Sequence, residues 1–440
     1  MGGLMTRILL VGNGAREHVI AETLKRNKDV KLYSFMKSKN PGIAKLSEKF
    51  EIGDYSDLEK IKEFAEKNKI DFAFIGPEDP LNEGIVDVLK EDGVESVGPT
   101  KNLAKLETSK SFTRKLLKKY NIEGNPLFKI FNNNNLNEIN DFLNELNEVV
   151  IKPDGLTGGK GVKVQGDHFN TKEEALDYCK EVLETHPSVI IEEKLDGEEF
   201  SLQCMTDGKT VIATPPVQDH KRAYDDDSGP NTGGMGSYSS ENNLLPFLKK
   251  EHVDAALEIT KKVADAIYEE TGEYYKGVMY GGFILTKNGV KLIEYNARFG
   301  DPEAMNVLPL LKTDFTGLCQ AIIVQELARI KVEFEKKATV CKYVVPEGYP
   351  DNPVKDEKVE IAKSKKAKMY YASVEEKEDG LYMTGSRAIA FLGIGNSLEE
   401  AEKAAEESVS SVKGKVFHRK DIGTKELIQK RIGHVRKIIG

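Results

Sequence analysis

Cysteine is scarce. The four in this chain, Cys179, Cys204, Cys319 and Cys341, are widely spaced with no CxxC pair, which argues against a disulfide framework or a zinc site and leaves buried thiols in a reducing, cytoplasmic compartment as the expectation. Long apolar runs are missing too. No stretch approaches the ~20 consecutive apolar residues of a membrane span, and no secretory signal is visible. Met1-Gly2 through Thr6 formally matches an acylation signal, but a strand starts almost at once, which speaks against it. Positive charge is not in excess: 64 Lys+Arg stand against 72 Asp+Glu, a net charge of -8. With no basic stripe interleaved with aromatics, neither nucleic acid nor a membrane is expected as a partner. Small anionic ligands would need local basic loops.

What is present points to a multidomain enzyme. At 440 residues, 39% hydrophobic and 31% charged, the composition is that of a soluble globular protein with roughly two to four domains. Arg7 to Val11 reads as a buried strand, followed by Gly12-Asn13-Gly14-Ala15-Arg16-Glu17-His18 and a helical pattern to Leu24. The start of such a helix can hold a phosphate with free N–H groups. Glu17 occupies the place of the third glycine in a dinucleotide fingerprint, and residues 33–37 offer no acid for a ribose. A monophosphate is therefore favoured over NAD. Further strands near Val30 to Phe35, Phe72 to Ile75 and up to Val97 alternate with helices from about Leu58 and Leu81, which predicts a parallel sheet with its ligand rim at Gly12–His18 and Gly76–Asp79.

The central stretch is Val149 to Val162. An apolar run ends in Lys152 and crosses four glycines (Gly155, Gly158, Gly159, Gly161) before a strand resumes. This predicts a hairpin-mounted loop able to lie on a polyphosphate, with Lys152 and Lys160 adding charge. It is not a Walker A loop, because Asp154 and Gly161 replace the required Gly and Ser/Thr. A lysine at the end of a core-facing run also needs an anionic partner. Ser109 to Tyr120 is a basic amphipathic helix whose cations, by default, face solvent. Antiparallel hairpins are expected around Thr206–Lys209 and at Asn288-Gly289. Between them, residues 218–236 lack periodicity and read as a working loop. Along Val290 to Asn296, period two puts Glu294, Asn296 and Arg298 on one face. Glu294 and Asn296 are hard oxygen donors suited to Mg2+, and Arg298 suits a phosphoryl group; taken alone, the strand end reads equally well as a salt-bridged surface. From about Lys331 a small α+β domain is expected.

Taken together, Gly12–His18, Gly76-Pro77-Glu78, Gly98-Pro99-Thr100, Lys152–Gly155 with Gly158–Gly161, Gln218–Arg222, Gly229–Gly236 and Arg298–Glu303 resemble the phosphoribosylamine-glycine ligase family, from about residue 7 to Gly423. The resemblance implies an ATP-grasp ligase: an N-terminal parallel α/β domain (1–106), an ATP-grasp domain of antiparallel sheets (107–330, mobile lid about 125–193) and a C-terminal α+β domain (331–440). It implies ATP and Mg2+ or Mn2+ as cofactors, glycine and 5-phosphoribosylamine as small-molecule partners, and a monomer or homodimer. Lys110, Lys152, Gly155, Gly158, Gly159, Lys160 and Gly161 would then face the ATP phosphates, Glu192 and the Leu195 backbone the adenine, and Glu199 the ribose. Glu294 and Asn296 would be the metal ligands, and Arg298, Lys152 and Asp219 catalytic. Gly12, Asn13, Gly14, Arg16, Glu17, Gly76, Pro77 and Glu78, with Asp219, Lys221, Thr232, Gly233, Gly234, Met235 and Arg298, would bind substrate. The rivals are another ATP-grasp ligase or carboxylase, and a nucleotide sensor without turnover.

Overall fold

The computed structural model describes residues 5–132, 135–156, 161–362 and 366–440. Gly158, Gly159 and Lys160 lie outside them, so those three expectations are not developed structurally. The N-terminal sheet is five-stranded and wholly parallel, in the order Lys49–Ile52, Val30–Met36, Thr6–Val11, Phe72–Ile75, Glu95–Val97. Helices cover both faces, so Ile8 to Val11 are fully buried, as an unbroken apolar run requires. Gly84, at φ +95°, splits the helix expected from Leu81 into Glu78–Glu83 and Ile85–Glu91. A left-handed residue ends one helix there and precedes the next.

Two four-stranded sheets follow. One takes Phe128–Phe131, Val189–Glu193, Val149–Pro153 and Lys163–Val164 in that order. The expected hairpin is present, with Val150 opposite Val164 and Ile151 opposite Lys163. Helices Leu136–Glu145 and Lys172–Thr185 pack on this sheet around a core of its own, including Ile139, Leu143, Ile151, Cys179 and Ile191. The second sheet runs Val211–Ala213, Glu198–Thr206, Gly277–Thr286, Gly289–Asn296, and the long helix Lys250–Thr271 packs against it. Only residues 194–197 separate the last paired residue of the first sheet from the second.

The stretch 218–236 is more regular than its sequence suggests. Arg222–Tyr224 and Ser228–Asn231 pair as a small hairpin. Gln218–Asp219 and Gly236–Ser239 are built into the sheet of the C-terminal region, beside Ala338–Pro346, Ile389–Gly395 and Lys368–Tyr371. The helix Lys425–Ile439 closes the fold. Among the described residues no helix is long and apolar enough to cross a membrane.

Candidate active site

The two antiparallel sheets meet at Lys152. Its strand turns the side chain inward, where Nζ lies 2.8 Å from Glu192 Oε2 and 3.2 Å from the carbonyl of Ile293 on the facing sheet. The anionic partner demanded by burial is thus supplied by the fold. Glu192 in turn receives Arg114 bidentately, Nε to Oε1 at 2.6 Å and Nη2 to Oε2 at 3.0 Å. Burial raises the Glu192 carboxyl, but Arg114 and Lys152 outweigh it and hold the group below its ordinary range. Both Glu192 oxygens are thus engaged by cations. Arg114 is 2% exposed, which corrects the solvated reading at that position, while Lys115, Lys118 and Lys119 are exposed as expected. Its other bonds reach the Leu292 and Ile293 carbonyls at 3.0 and 2.7 Å.

Those carbonyls mark an irregularity that aims the next residues. Phe283 pairs with Leu292 while Gly282 pairs with Glu294, so Ile293 is the extra residue of a bulge. A bulge re-aims side chains. Beyond it Tyr295, Ala297 and Phe299 are buried in the core, and Glu294, Asn296 and Arg298 share the opposite face, as period two predicts. Among the described residues, neither the Glu294 carboxylate nor the Asn296 amide has a hydrogen-bond partner. Burial pushes the Glu294 carboxyl up, but Lys221, Lys152, Lys110 and Arg298 together bring it below its ordinary value. No group of three or more His, Cys, Asp or Glu able to hold a metal occurs among the described residues. A two-oxygen protein contribution fits Mg2+, which completes its shell with phosphate and water.

The base of the glycine loop is pinned. Asp154 accepts from the Ser111 N–H at 3.1 Å and from the hydroxyls of Ser111, Ser109 and Ser188, while Lys110 Nζ donates to the Gly155 carbonyl at 2.7 Å. Lys110 and Lys152 therefore flank one edge of the cleft. Gly161 accepts from the Tyr178 hydroxyl at 2.7 Å.

The parallel-sheet rim joins the same cleft through Glu78. Arg298 Nε lies 3.1 Å and Arg16 Nη2 3.9 Å from Glu78 Oε2; Arg298 chiefly, then Arg16, outweigh burial and lower this carboxyl to about 2. Glu107, absent from the sequence reading, holds the far side of Arg298 at 2.8 Å and accepts the Ala297 N–H at 2.7 Å. Burial lifts its carboxyl to about 7 despite Arg298. Glu17 is spent on shape: it caps the Gly14 N–H at 2.6 Å and pairs with Arg16 at 2.5 Å. A Cβ on Gly12 or Gly76 would lie 2.3 or 2.4 Å from Glu17 Cγ, so both glycines are there to admit that side chain. Asn13 is likewise committed, to Ser38 and Tyr55. What the rim offers a ligand is the first turn of the helix Ala15–Leu24.

Across from the rim, Lys221 Nζ is 3.8 Å from Glu199 Oε2, and Asp219 foremost holds the Lys221 ammonium charged against burial. Thr232 binds the Lys221 carbonyl through both N–H and hydroxyl, at 2.7 and 2.8 Å. Met235 is fully buried and anchors the loop, its N–H donating to the His220 carbonyl and its carbonyl accepting the Tyr343 N–H. Sequence reasoning missed Arg387. From the C-terminal region it donates to the carbonyls of Gly233, Gly234 and Asp301 at 2.9, 3.1 and 3.0 Å, pairs with the Asp301 carboxylate at 3.3 Å, and stacks on Tyr343.

Two antiparallel sheets facing each other, with a buried lysine on one and an acid–amide strand on the other, define an ATP-grasp enzyme. The particular family follows from comparison. Residues 6–107, 108–304 and 339–425 match the N, ATP-grasp (A) and C domain models of phosphoribosylglycinamide synthetase, and the chain belongs to that family. It is 54% identical to a phosphoribosylamine–glycine ligase of Methanocaldococcus jannaschii over 98% of this chain and 99% of that one. A Methanosarcina acetivorans protein of the same name is 50% identical over 99% and 98%. Among solved structures, a Thermotoga maritima phosphoribosylamine–glycine ligase superposes with a TM-score of 0.79 at 26% identity, covering 94% of this chain and all of that one. A biotin carboxylase from Campylobacter jejuni shares the fold, at TM-score 0.72 and 14% identity, over 98% and 95%.

Proposed function

We propose that this chain joins glycine to 5-phosphoribosylamine, converting ATP to ADP and phosphate through a glycyl phosphate. One observation carries the reading: Lys152 and the Glu294–Arg298 strand face each other across the two sheets, and Glu78 joins that strand to the parallel-sheet rim by pairing with Arg298 and Arg16. Lys110 and Lys152 neutralise the nucleotide phosphates, the Leu195 backbone and Glu199 hold the base end, and Glu294 with Asn296 hold the divalent ion. A divalent ion held there would supply positive charge to the phosphate oxygens. A glycine carboxylate oxygen forms a bond to the γ-phosphorus as the bond to ADP breaks. The amine nitrogen of phosphoribosylamine then bonds to the acyl carbon, phosphate leaves, and the amine loses a proton.

No enzyme nucleophile is needed, and positioning with charge neutralisation supplies the rate. Arg298, fixed between Glu78 and Glu107, is preorganised for the acyl phosphate. Lys221, Asp219 and the 232–234 turn that Arg387 fixes line the opposite wall, where glycine binds. Exclusion of water protects the intermediate. Phosphate release is the test, with glycine and freshly made phosphoribosylamine each omitted in turn. Release requires both; release with bicarbonate in place of glycine would make the chain a carboxylase, and ATP binding without turnover a sensor.

A further inference from the structure

The C-terminal helix Lys425–Ile439 extends past residue 425, where the family's C domain match ends, yet its polar face is turned on the connection between the two antiparallel sheets. His434 Nδ1 lies 2.7 Å from Glu198 Oε1 and Nε2 lies 3.1 Å from Asp196 Oδ1. One turn earlier, Arg431 Nε is 3.5 Å from the other Glu198 oxygen, and its Nη2 pairs with Asp227. Asp196 lies in the connection 194–197 between the two antiparallel sheets, and Glu198 opens the second of them.

Glu198 is 4% exposed, so its charge needs partners, and the helix supplies them. The network continues inward. Gln218 Nε2 donates to Glu198 Oε2 at 3.4 Å and to the Glu199 carbonyl at 2.9 Å, and accepts the Tyr238 hydroxyl at 2.7 Å through its Oε1. One set of bonds therefore fixes the end of the 194–197 connection, the backbone of Glu199 and the start of the 218–236 stretch. The helix is seated for this by Leu427, Ile428 and Val435, which are buried.

We infer that Arg431 and His434 are positioning residues for the nucleotide: by clamping Asp196 and Glu198 they set the Leu195 backbone and Glu199 in register with the base and ribose. The inference rests on the proposed placement of the nucleotide at Leu195 and Glu199. Neither residue touches the reacting atoms, so the clamp governs ATP affinity and leaves the chemical step alone.

The test uses the full-length chain with His434→Ala, Arg431→Ala and His434→Asn. Asparagine keeps a donor where Nδ1 stood, facing Glu198. Expected are an ATP KM raised about tenfold in each alanine variant, with kcat and glycine KM close to wild type, a lowered melting temperature because Glu198 loses a partner, and most of the ATP KM recovered by His434→Asn. Calorimetric titration with Mg-ATP reads the same loss without any turnover. An unchanged ATP KM would overturn the clamp, as would a parallel loss of affinity for ATP and glycine together with the melting temperature, which is the mark of a merely structural helix. If wild type shows no glycine-dependent turnover but the titration shows the selective loss, the ligase reading falls and the clamp stands.

Discussion

Glu192 holds Lys152 and Arg114 at once, at 2.8 and 2.6 Å, and all three are nearly excluded from solvent. Removing the carboxylate in Glu192→Ala leaves two cations side by side in a dry site and is expected to cost about 3–5 kcal/mol in urea unfolding. Lys152→Ala costs clearly less, because Arg114 keeps Glu192 paired. That variant instead loses about 10²-fold or more in glycine-dependent phosphate release. Equal destabilisation by the two variants would show that Lys152 is a structural cation only.

Glu294→Ala separates metal binding from folding. The side chain has no hydrogen-bond partner to lose, so the unfolding midpoint falls only by what its attraction to Lys221 and Lys152 contributes. The Mg2+ concentration giving half-maximal turnover rises about 10- to 100-fold. Turnover with an unaltered Mg2+ dependence would remove Glu294 from the metal shell.

Arg387 binds three carbonyls and a carboxylate from one planar group, which an ammonium cannot reproduce. Arg387→Lys is expected to raise the KM for glycine about tenfold by loosening the 232–234 turn, while the ATP KM stays within about twofold. A change confined to ATP would place the turn elsewhere in the reaction.

His220 is 2% exposed and neither ring nitrogen has a partner among the described residues. Burial first, then Arg419 and Arg431, lower it from 6.5 to about 3. Between those values only the unfolded chain takes up the proton, so the stability this site contributes is complete above 6.5 and is lost as pH falls toward 3. His18, lowered by burial to about 4, acts in the upper part of the same window. His220→Phe is expected to flatten the fall in urea midpoint between pH 6.5 and 4 without lowering stability at pH 7. An unchanged slope would assign the acid limb to other groups.

Elements bounded by local chemistry were legible in the sequence. The strands Phe72–Ile75, Val211–Ala213 and Gly277–Thr286 are apolar runs ended by turn residues, and Asn288-Gly289 fixes its hairpin. The helix Pro41–Leu46 and the strand Lys49–Ile52 were not, because they are short and the strand's edge position leaves it largely exposed with no periodicity to read. The pairing of Gly236–Ser239 with a strand a hundred residues later leaves no local trace. Cation roles failed for the same reason: Arg114 looks like one of five cations on a helix until Glu192, 78 residues on, is placed beside it. Glu107 and Arg387 carry no motif of their own and acquire meaning only from Arg298 and Asp301.

The strand Gly236–Ser239, seated between Gln218–Asp219 and Ala338–Pro346, has a consequence for dissection of the chain. A fragment cut between residues 304 and 339, where the family models leave a gap, strips that strand of one whole ladder and bares its N–H and C=O groups. Such an edge templates association with other chains. The nucleotide-binding part and the C-terminal part are therefore expected to be recovered as a soluble pair when co-expressed, and as aggregates when made separately.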